Sequence, residues 1–185
     1  MLTERWSQCT TVFLRLALGT TFLAAVTDRF GLWGAPGQPN VSGGDFAHFL
    51  SYAARVNALL PHALIPLVAW LATVLETLLG LTLTVGLQPR ISALGSAVLL
   101  PVFALAVSIS IGVKSALNDS VFSASAGAFL LATSLTYPWT LDAFLKQARQ
   151  AARDRADRVR LEVDRADRDA QQNLPGRKSG HKPGV

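Results

Sequence analysis

Four long apolar segments constrain this chain more than any other feature of its sequence. Together they contain only two charged residues, Arg15 and Glu76, and none has a polar face. The segments are residues 10–27, 63–87, 91–113 and 121–141. About 20 apolar residues in a helix cross the roughly 30 Å hydrocarbon core of a bilayer, so each segment fits a transmembrane helix. Helices of a soluble bundle would need polar faces. We therefore predict an all-α, four-transmembrane-helix bundle within residues 1–141.

The first segment also resembles the apolar region of a signal peptide. Arg15 interrupts it, however, and no clear A-x-A cleavage site follows its small residues. These features favour a first transmembrane helix over a cleaved leader.

The connections between the segments predict how the helices follow one another. Glycines and prolines in residues 31–44 indicate a loop. Residues 45–57 have an apolar face that includes Asn57, and they are too short to cross a membrane, so we predict an interfacial amphipathic helix. The short Gln-Pro-Arg turn at 88–90 predicts antiparallel neighbours. Small residues at 123–128 permit close helix packing in the fourth span.

The chain after residue 141 changes from apolar to highly charged. Residues 142–172 carry opposite charges four positions apart, which stabilise an exposed helix. We predict a charged helical extension there and a disordered tail over residues 173–185, which are rich in Gly and Pro.

The basic residues are unevenly distributed and indicate an orientation. The net charge is +5, and eleven of the seventeen Lys and Arg residues lie after residue 145. With both termini on one side of the membrane, thirteen basic residues flank the spans on that side and three on the other. The positive-inside rule then places both termini in the cytoplasm. No aromatic-basic pattern accompanies the charge, so we predict no nucleic-acid partner.

Metal and thiol chemistry have no support in the sequence. Cys9 is the single cysteine, and the three histidines lack the spacing of metal ligands. We predict no metal site and no disulfide.

The two charges within the spans are the first candidates for a ligand site. A charged residue in a transmembrane helix is expensive and often functional. In antiparallel helices Arg15 and Glu76 would differ in depth by roughly 9 Å, which an extended arginine covers. We therefore expect them to pair, directly or through water, inside a polar cavity. The alternative is a salt bridge that only fixes helix packing.

A second candidate group lies at the outer end of the first span. Asp28, Arg29 and Trp33 follow it, beside the amphipathic helix and opposite Lys114. They would form the mouth of a ligand site. The alternative is interfacial anchoring with a solvated ion pair.

The order of four sequence features resembles the DoxX-like family of small four-helix membrane proteins. They are RLALGTTFL…DRFGLWG, ATVLETLLGLTLTVG with its acid at the midpoint, the turn QPR, and GVKSALNDSVFSASAGA. The likeness covers about residues 10–140. It implies a four-helix bundle of a bacterial inner membrane, associated with quinone-linked redox systems such as thiosulfate oxidation. It also assigns the family's arginine and acid to Arg15 and Glu76.

Three functions agree with these features. The first is an accessory or ligand-binding subunit that holds a quinone or a small sulfur species. Arginine suits an anion or a carbonyl oxygen, and a desolvated glutamate can exchange protons. No residue set here transfers electrons unaided, so a redox partner protein or a bound quinone is required. The second is a small-molecule carrier, although no inverted repeat is evident. The third is a structural partner, also capable of homo-oligomerisation, whose tail recruits a cytoplasmic protein.

Overall fold

The computed structural model describes residues 2–172, with side chains for residues 5–171, and this part of the chain contains helices and no strands. The predicted tail at 173–185 lies outside the described residues. A short 3-10 turn, His62–Leu64, precedes the third helix. The α-helices are α1 Leu2–Arg29, α2 Phe46–Val56, α3 Ile65–Val85, α4 Pro89–Ser110, α5 Val113–Asn118, α6 Val121–Ala132 and α7 Leu141–Gln172.

Three helices are long and apolar enough to cross a membrane. They are Arg5–Arg29 within α1, His62–Val85 and Pro89–Ser110. Each exposes large apolar side chains on its outer surface, among them Phe13, Leu71 and Val98. A bilayer accommodates such a surface and water does not, so these helices are compatible with the predicted integral membrane protein.

The fourth predicted span is not one continuous helix. Helix α6 ends at Ala132 after 12 residues, which is about 18 Å, and residues 133–140 are not helical. Pro138 has no N–H and disfavours helical backbone in the residue before it. The Tyr137 hydroxyl donates to the Leu131 carbonyl oxygen over 2.8 Å and so satisfies one group at the end of α6.

The chain after α6 nevertheless returns to the start of α4. The Asp142 carboxylate accepts a hydrogen bond from the Gln88 backbone N–H at 2.9 Å. Because α5 and α6 follow the other end of α4, residues 121–142 run back along its whole length. Helix α4 has 22 residues and is about 33 Å long.

Two glycines allow α1 and α3 to pack closely as antiparallel helices. A Cβ atom on Gly80 would lie 3.2 Å from the Gly19 carbonyl oxygen and 2.9 Å from Leu23 Cδ2. Further along α1, Arg29 contacts Thr73, which comes before Gly80 in α3. The two helices therefore run in opposite directions. This register decides which charged groups can meet.

Small side chains bring α4 and α6 together. Ala93, Ala97 and Ala104 of α4 and Ala128 of α6 are fully buried. The Ser125 hydroxyl lies 3.4 Å from the Ala97 carbonyl oxygen to which it donates. The α1–α3 pair meets the α4–α6 pair through Leu18, Phe22, Leu83 and Leu131.

Helix α2 covers one end of the bundle. Asp45 caps it by accepting from the His48 backbone N–H at 2.8 Å. Its buried face, with Ala53, packs on Ile65 and Ala69 at the start of α3. We call this end the α2 end. The opposite end, where α3 finishes at Gly86 and α4 begins at Pro89 after the predicted tight turn, is the Gly86 end.

Helix α7 belongs mostly to a second compact unit. The described part of the chain divides into one unit that ends at Ala143 and another that begins at Phe144. The described side chains from Phe144 onward are exposed.

Candidate functional site

Arg29 and Glu76 form a buried ion pair between α1 and α3. Arg29 Nη2 donates to Glu76 Oε1 at 2.9 Å and lies 2.7 Å from Oε2. Arg29 Nη1 donates to the Thr73 hydroxyl at 3.0 Å. Thr73 and Glu76 are one helical turn apart, so both face the same guanidinium. The exposed fractions of Arg29 and Glu76 are only 8% and 3%.

Helix α2 covers this pair with an aromatic ring. The guanidinium carbon of Arg29 lies 3.8 Å from the centre of the Phe49 ring. An arginine at this distance is attracted by the ring quadrupole. Arg29 is therefore held by three helices, although it is the last residue of α1.

The expected pairing of Arg15 with Glu76 is wrong. Arg15 Nη2 donates to the Trp139 carbonyl oxygen at 3.0 Å, and Nη1 donates to that of Pro138 at 3.4 Å. The register of the antiparallel helices is the reason, because Arg15 lies beside Gly86. Gly86 is ten residues beyond Glu76, which corresponds to about 15 Å along a helix.

Arg15 instead binds the non-helical segment at 133–140. Backbone carbonyls outside a helix need donors when they lie at membrane depth. The Arg15 guanidinium supplies two donors, while its buried Nε has no partner among the described residues. Arg15 therefore contacts backbone carbonyl groups and does not line the cavity described below.

A cavity of about 500 Å³ lies between the helix pairs and below α2. This volume falls within the range of small-molecule sites, about 300–1,000 Å³. Most of the wall is apolar and includes Leu14, Leu18, Leu100 and Phe103. The ionisable and amide groups on the wall are those of Arg29, Tyr52, Asn57, Glu76 and Asp119.

The polar wall groups are concentrated toward the α2 end. Tyr52 and Asn57 belong to α2 and its C-cap, and Asp119 follows α5. Burial raises the pKa of Tyr52, and the negative charge of Asp119 acts in the same direction. The cavity is therefore amphiphilic, with charged groups toward α2 and an apolar region deeper in the bundle.

Both carboxylate oxygens of Glu76 lie against the Arg29 guanidinium. Arg29 Nη2 donates to Oε1 at 2.9 Å and lies 2.7 Å from Oε2, so the contact with Oε2 is an ion-pair contact without an aligned hydrogen bond. An ionised carboxylate accepts hydrogen bonds and cannot donate them. Glu76 thus belongs to the cavity wall as the acceptor half of an ion pair with Arg29.

The remaining predicted residues have other contacts. The Asp28 carboxylate accepts from the backbone N–H groups of Ser42 and Gly43, the latter at 2.6 Å. Trp33 Nε1 donates to the Thr27 hydroxyl at 2.8 Å. Lys114 is exposed on α5. None of these three lines the cavity.

Several site residues were missed by the sequence reasoning. Thr73, Phe49 and Tyr52 resemble ordinary residues of apolar or interfacial helices. Asn57 could have been recognised as a candidate site residue, because it is a polar residue on the apolar face of residues 45–57. Among the described residues, no three His, Cys, Asp or Glu side chains are grouped to hold a metal ion.

Comparisons with family models, curated proteins and solved structures found no match to this chain.

Proposed function

We propose that this chain is a DoxX-like integral membrane protein that binds a lipid-soluble molecule as an accessory subunit of a quinone-linked redox system. The observation that carries the proposal is the buried Arg29–Glu76 pair on the wall of an apolar cavity. The order of sequence features that resembles the DoxX-like family gives additional support.

The ion pair is expensive in this position. Two charges removed from water lose hydration, and their attraction repays this loss only in part. A pair of apolar side chains would pack α1 against α3 without that penalty. The cavity beside the pair provides a reason for it, because charged groups can orient a ligand that has one polar end.

The proposed ligand contact of the arginine belongs to Arg29 and not to Arg15. The side chain of Arg15 is occupied by carbonyl groups at the Gly86 end, and it does not line the cavity. Glu76 keeps its proposed role.

The proposed membrane topology has four crossings. Residues 121–142 form the fourth, with α6 as its helical part and residues 133–140 as its irregular part. Hydrogen bonds from Arg15 support this proposal, because they satisfy backbone groups that lipid would leave unpaired. The excess of basic residues on one side favours cytoplasmic termini in a bacterial inner membrane.

A partner protein completes the proposed system. We find no group in the sequence that transfers electrons unaided, so electrons would pass through a bound quinone or a redox partner. The exposed α7 offers a surface for such a partner or for a second copy of the chain.

The test is to identify what the protein retains after gentle detergent extraction. Ala72→Phe would fill the cavity, since Ala72 lies on its wall. Ala126→Phe is the matched control, because Ala126 is exposed on α6 and does not line the cavity. Mass spectrometry should find a lipid-soluble molecule in the wild type and the control, and at least about tenfold less in Ala72→Phe.

Equal amounts of the molecule in all three proteins would contradict the proposal, as would its absence from the wild type. Matching thermal unfolding of the two variants would confirm that Ala72→Phe acts by filling the cavity.

A further inference from the structure

We infer that α7 pairs with α7 of a second copy of this chain as an antiparallel two-stranded coiled coil. The inference concerns residues 144–171 alone. It does not depend on a ligand in the cavity and therefore goes beyond the proposed function. The side chains of this segment are exposed, so every face of the helix is accessible to a partner.

One face of α7 carries apolar side chains at the spacing of a coiled coil. Six of them follow one another at alternating steps of four and three residues, and we call them the α7 stripe: Ala152, Ala156, Val159, Val163, Ala166 and Ala170. This spacing is that of the a and d positions of a heptad repeat, which face the partner helix in a coiled coil. The two largest members of the stripe, Val159 and Val163, are 55% and 53% exposed.

The charges of α7 are segregated along its length. Residues 144–160 contain six basic and two acidic residues, whereas residues 161–171 contain two basic and four acidic ones. The net charges of the two halves are therefore +4 and −2. Parallel helices would place each half beside its like. Antiparallel helices place the basic half of each copy beside the acidic half of the other, which is attractive.

One antiparallel register pairs every member of the α7 stripe with another member. In this register the facing positions of the two copies are 152 with 170, 156 with 166, and 159 with 163, and two-fold symmetry repeats each contact. A shift by one heptad in one direction would place Arg149 against Ala166. A shift in the other direction would place Ala152 beyond Gln172, where α7 ends. The apolar pattern therefore selects a single register.

The charges beside the stripe agree with this register. In an antiparallel coiled coil each e position faces an e position of the partner, and each g position faces a g position. Arg153 then lies beside Asp167 of the second copy, and Arg155 lies beside Asp169. Because symmetry repeats both contacts, four pairs of opposite charge flank the stripe.

A parallel coiled coil would have no such pairs. In that arrangement g positions face e positions, so Arg155 would face Arg160 and Glu162 would face Asp167, each twice. The antiparallel register has only two pairs of like charge, at its centre, where Arg160 and Glu162 each face their own equivalent. The balance of attraction and repulsion therefore favours the antiparallel arrangement.

Disulfide cross-linking tests both the pairing and its direction. Ala152→Cys and Ala170→Cys are introduced into full-length chains with different tags in a Cys9→Ser background, and the two are expressed together and oxidised in isolated membranes. We expect a disulfide between the two variants. Either variant expressed alone should give little cross-link, because equal positions lie about 27 Å apart along antiparallel helices and a disulfide joins Cα atoms within roughly 7 Å.

A matched pair of substitutions locates the contact. Val163→Lys places a charge in the α7 stripe and should lower the yield of the mixed cross-link by at least about tenfold. Leu161→Lys is the control, since Leu161 is 55% exposed but lies outside the stripe. It adds the same charge to the same part of the helix and should leave the yield unchanged.

Three results would overturn the inference. A cross-link of Ala152→Cys with itself as strong as the mixed one would mean that the helices are parallel. Absence of the mixed cross-link, or equal yields in Val163→Lys and Leu161→Lys, would mean that α7 does not pair through the stripe. None of these results bears on the proposed cavity ligand, so the two proposals fail separately.

Discussion

At the scale of single residues, the interpretation of the site depends on which arginine pairs with Glu76. The pair is formed by Arg29 and not, as predicted, by Arg15. Both Arg15 and Arg29 are buried, and each is within the reach of polar groups on other segments. Arg29 neutralises a carboxylate, whereas Arg15 satisfies backbone carbonyls. Only the first arrangement places a charge on the cavity wall.

The ion pair gives a prediction about stability. Arg29→Leu leaves the Glu76 carboxylate buried without its partner, which should lower the free energy of unfolding by about 3–5 kcal/mol. In Arg29→Leu/Glu76→Leu, much of that loss should be recovered, because no buried charge remains. Denaturant unfolding in detergent micelles would measure both variants as part of a double-mutant cycle.

Arg55→Leu is the matched control for the ion pair, since Arg55 is exposed on α2 and its guanidinium carbon lies 5.8 Å from the centre of the Tyr52 ring. It should change stability by less than about 0.5 kcal/mol. If Arg29→Leu were as stable as this control, the ion pair would make no contribution to the free energy of unfolding.

At the scale of elements, the irregular segment 133–140 is the main departure from a regular bundle. It follows a helix that is too short to cross a bilayer, and it leads into the Asp142–Gln88 contact at the Gly86 end. Thr140 is buried against Gly86, where a Cβ atom would lie 2.8 Å from Thr140 Cβ. Gly86 also has a φ of 78°, so glycine is required there for space and for backbone conformation.

The role of Arg15 in this segment is testable. Arg15→Leu removes the donors to Pro138 and Trp139, so residues 133–140 should exchange their amide hydrogens faster, by about tenfold or more. Ligand content should remain that of the wild type, because Arg15 does not line the cavity. Hydrogen exchange and ligand analysis by mass spectrometry would measure the two effects on one sample.

Arg90→Leu serves as the comparison for Arg15→Leu, since Arg90 is exposed at the same end of the bundle. It should alter neither exchange nor ligand content. If Arg15→Leu lost the ligand while amide hydrogen exchange of residues 133–140 stayed unchanged, Arg15 would belong to the ligand site.

At the scale of the whole molecule, the number of crossings decides where α7 lies. Three continuous helices alone would place the two ends of the chain on opposite sides of the membrane. A fourth crossing by residues 121–142 returns the chain to the side on which α1 begins.

Cysteine labelling distinguishes these topologies. In a Cys9→Ser background, Asn118→Cys should react with a membrane-impermeant maleimide in intact spheroplasts, because the proposed topology places the end of α5 on the outer side of the membrane. Gln88→Cys and Gln150→Cys should react only after permeabilisation. Reaction of Gln150→Cys in intact spheroplasts would mean that residues 121–142 do not cross the membrane. The Cys9→Ser protein without further change gives the background signal.

Much of the fold could be predicted from the sequence because it depends on local composition. Length and hydropathy predict the helices α1, α3 and α4, and the spacing of Phe46, Phe49 and Ala53 predicts α2. The fourth span was predicted as one continuous helix because apolar composition does not report a helix end. The signals for that end, Tyr137-Pro138 and the preceding Thr133-Ser134, lie inside an otherwise apolar segment.

By itself the sequence determined that this chain is helical, that it has membrane-compatible segments and that its charges are scarce within them. Only the tertiary structure decided which charges meet. The contact of Gly19 with Gly80 sets the register of α1 on α3, and a helix advances about 1.5 Å per residue. That register brings Arg29 to Glu76 and takes Arg15 to the carbonyls of Pro138 and Trp139.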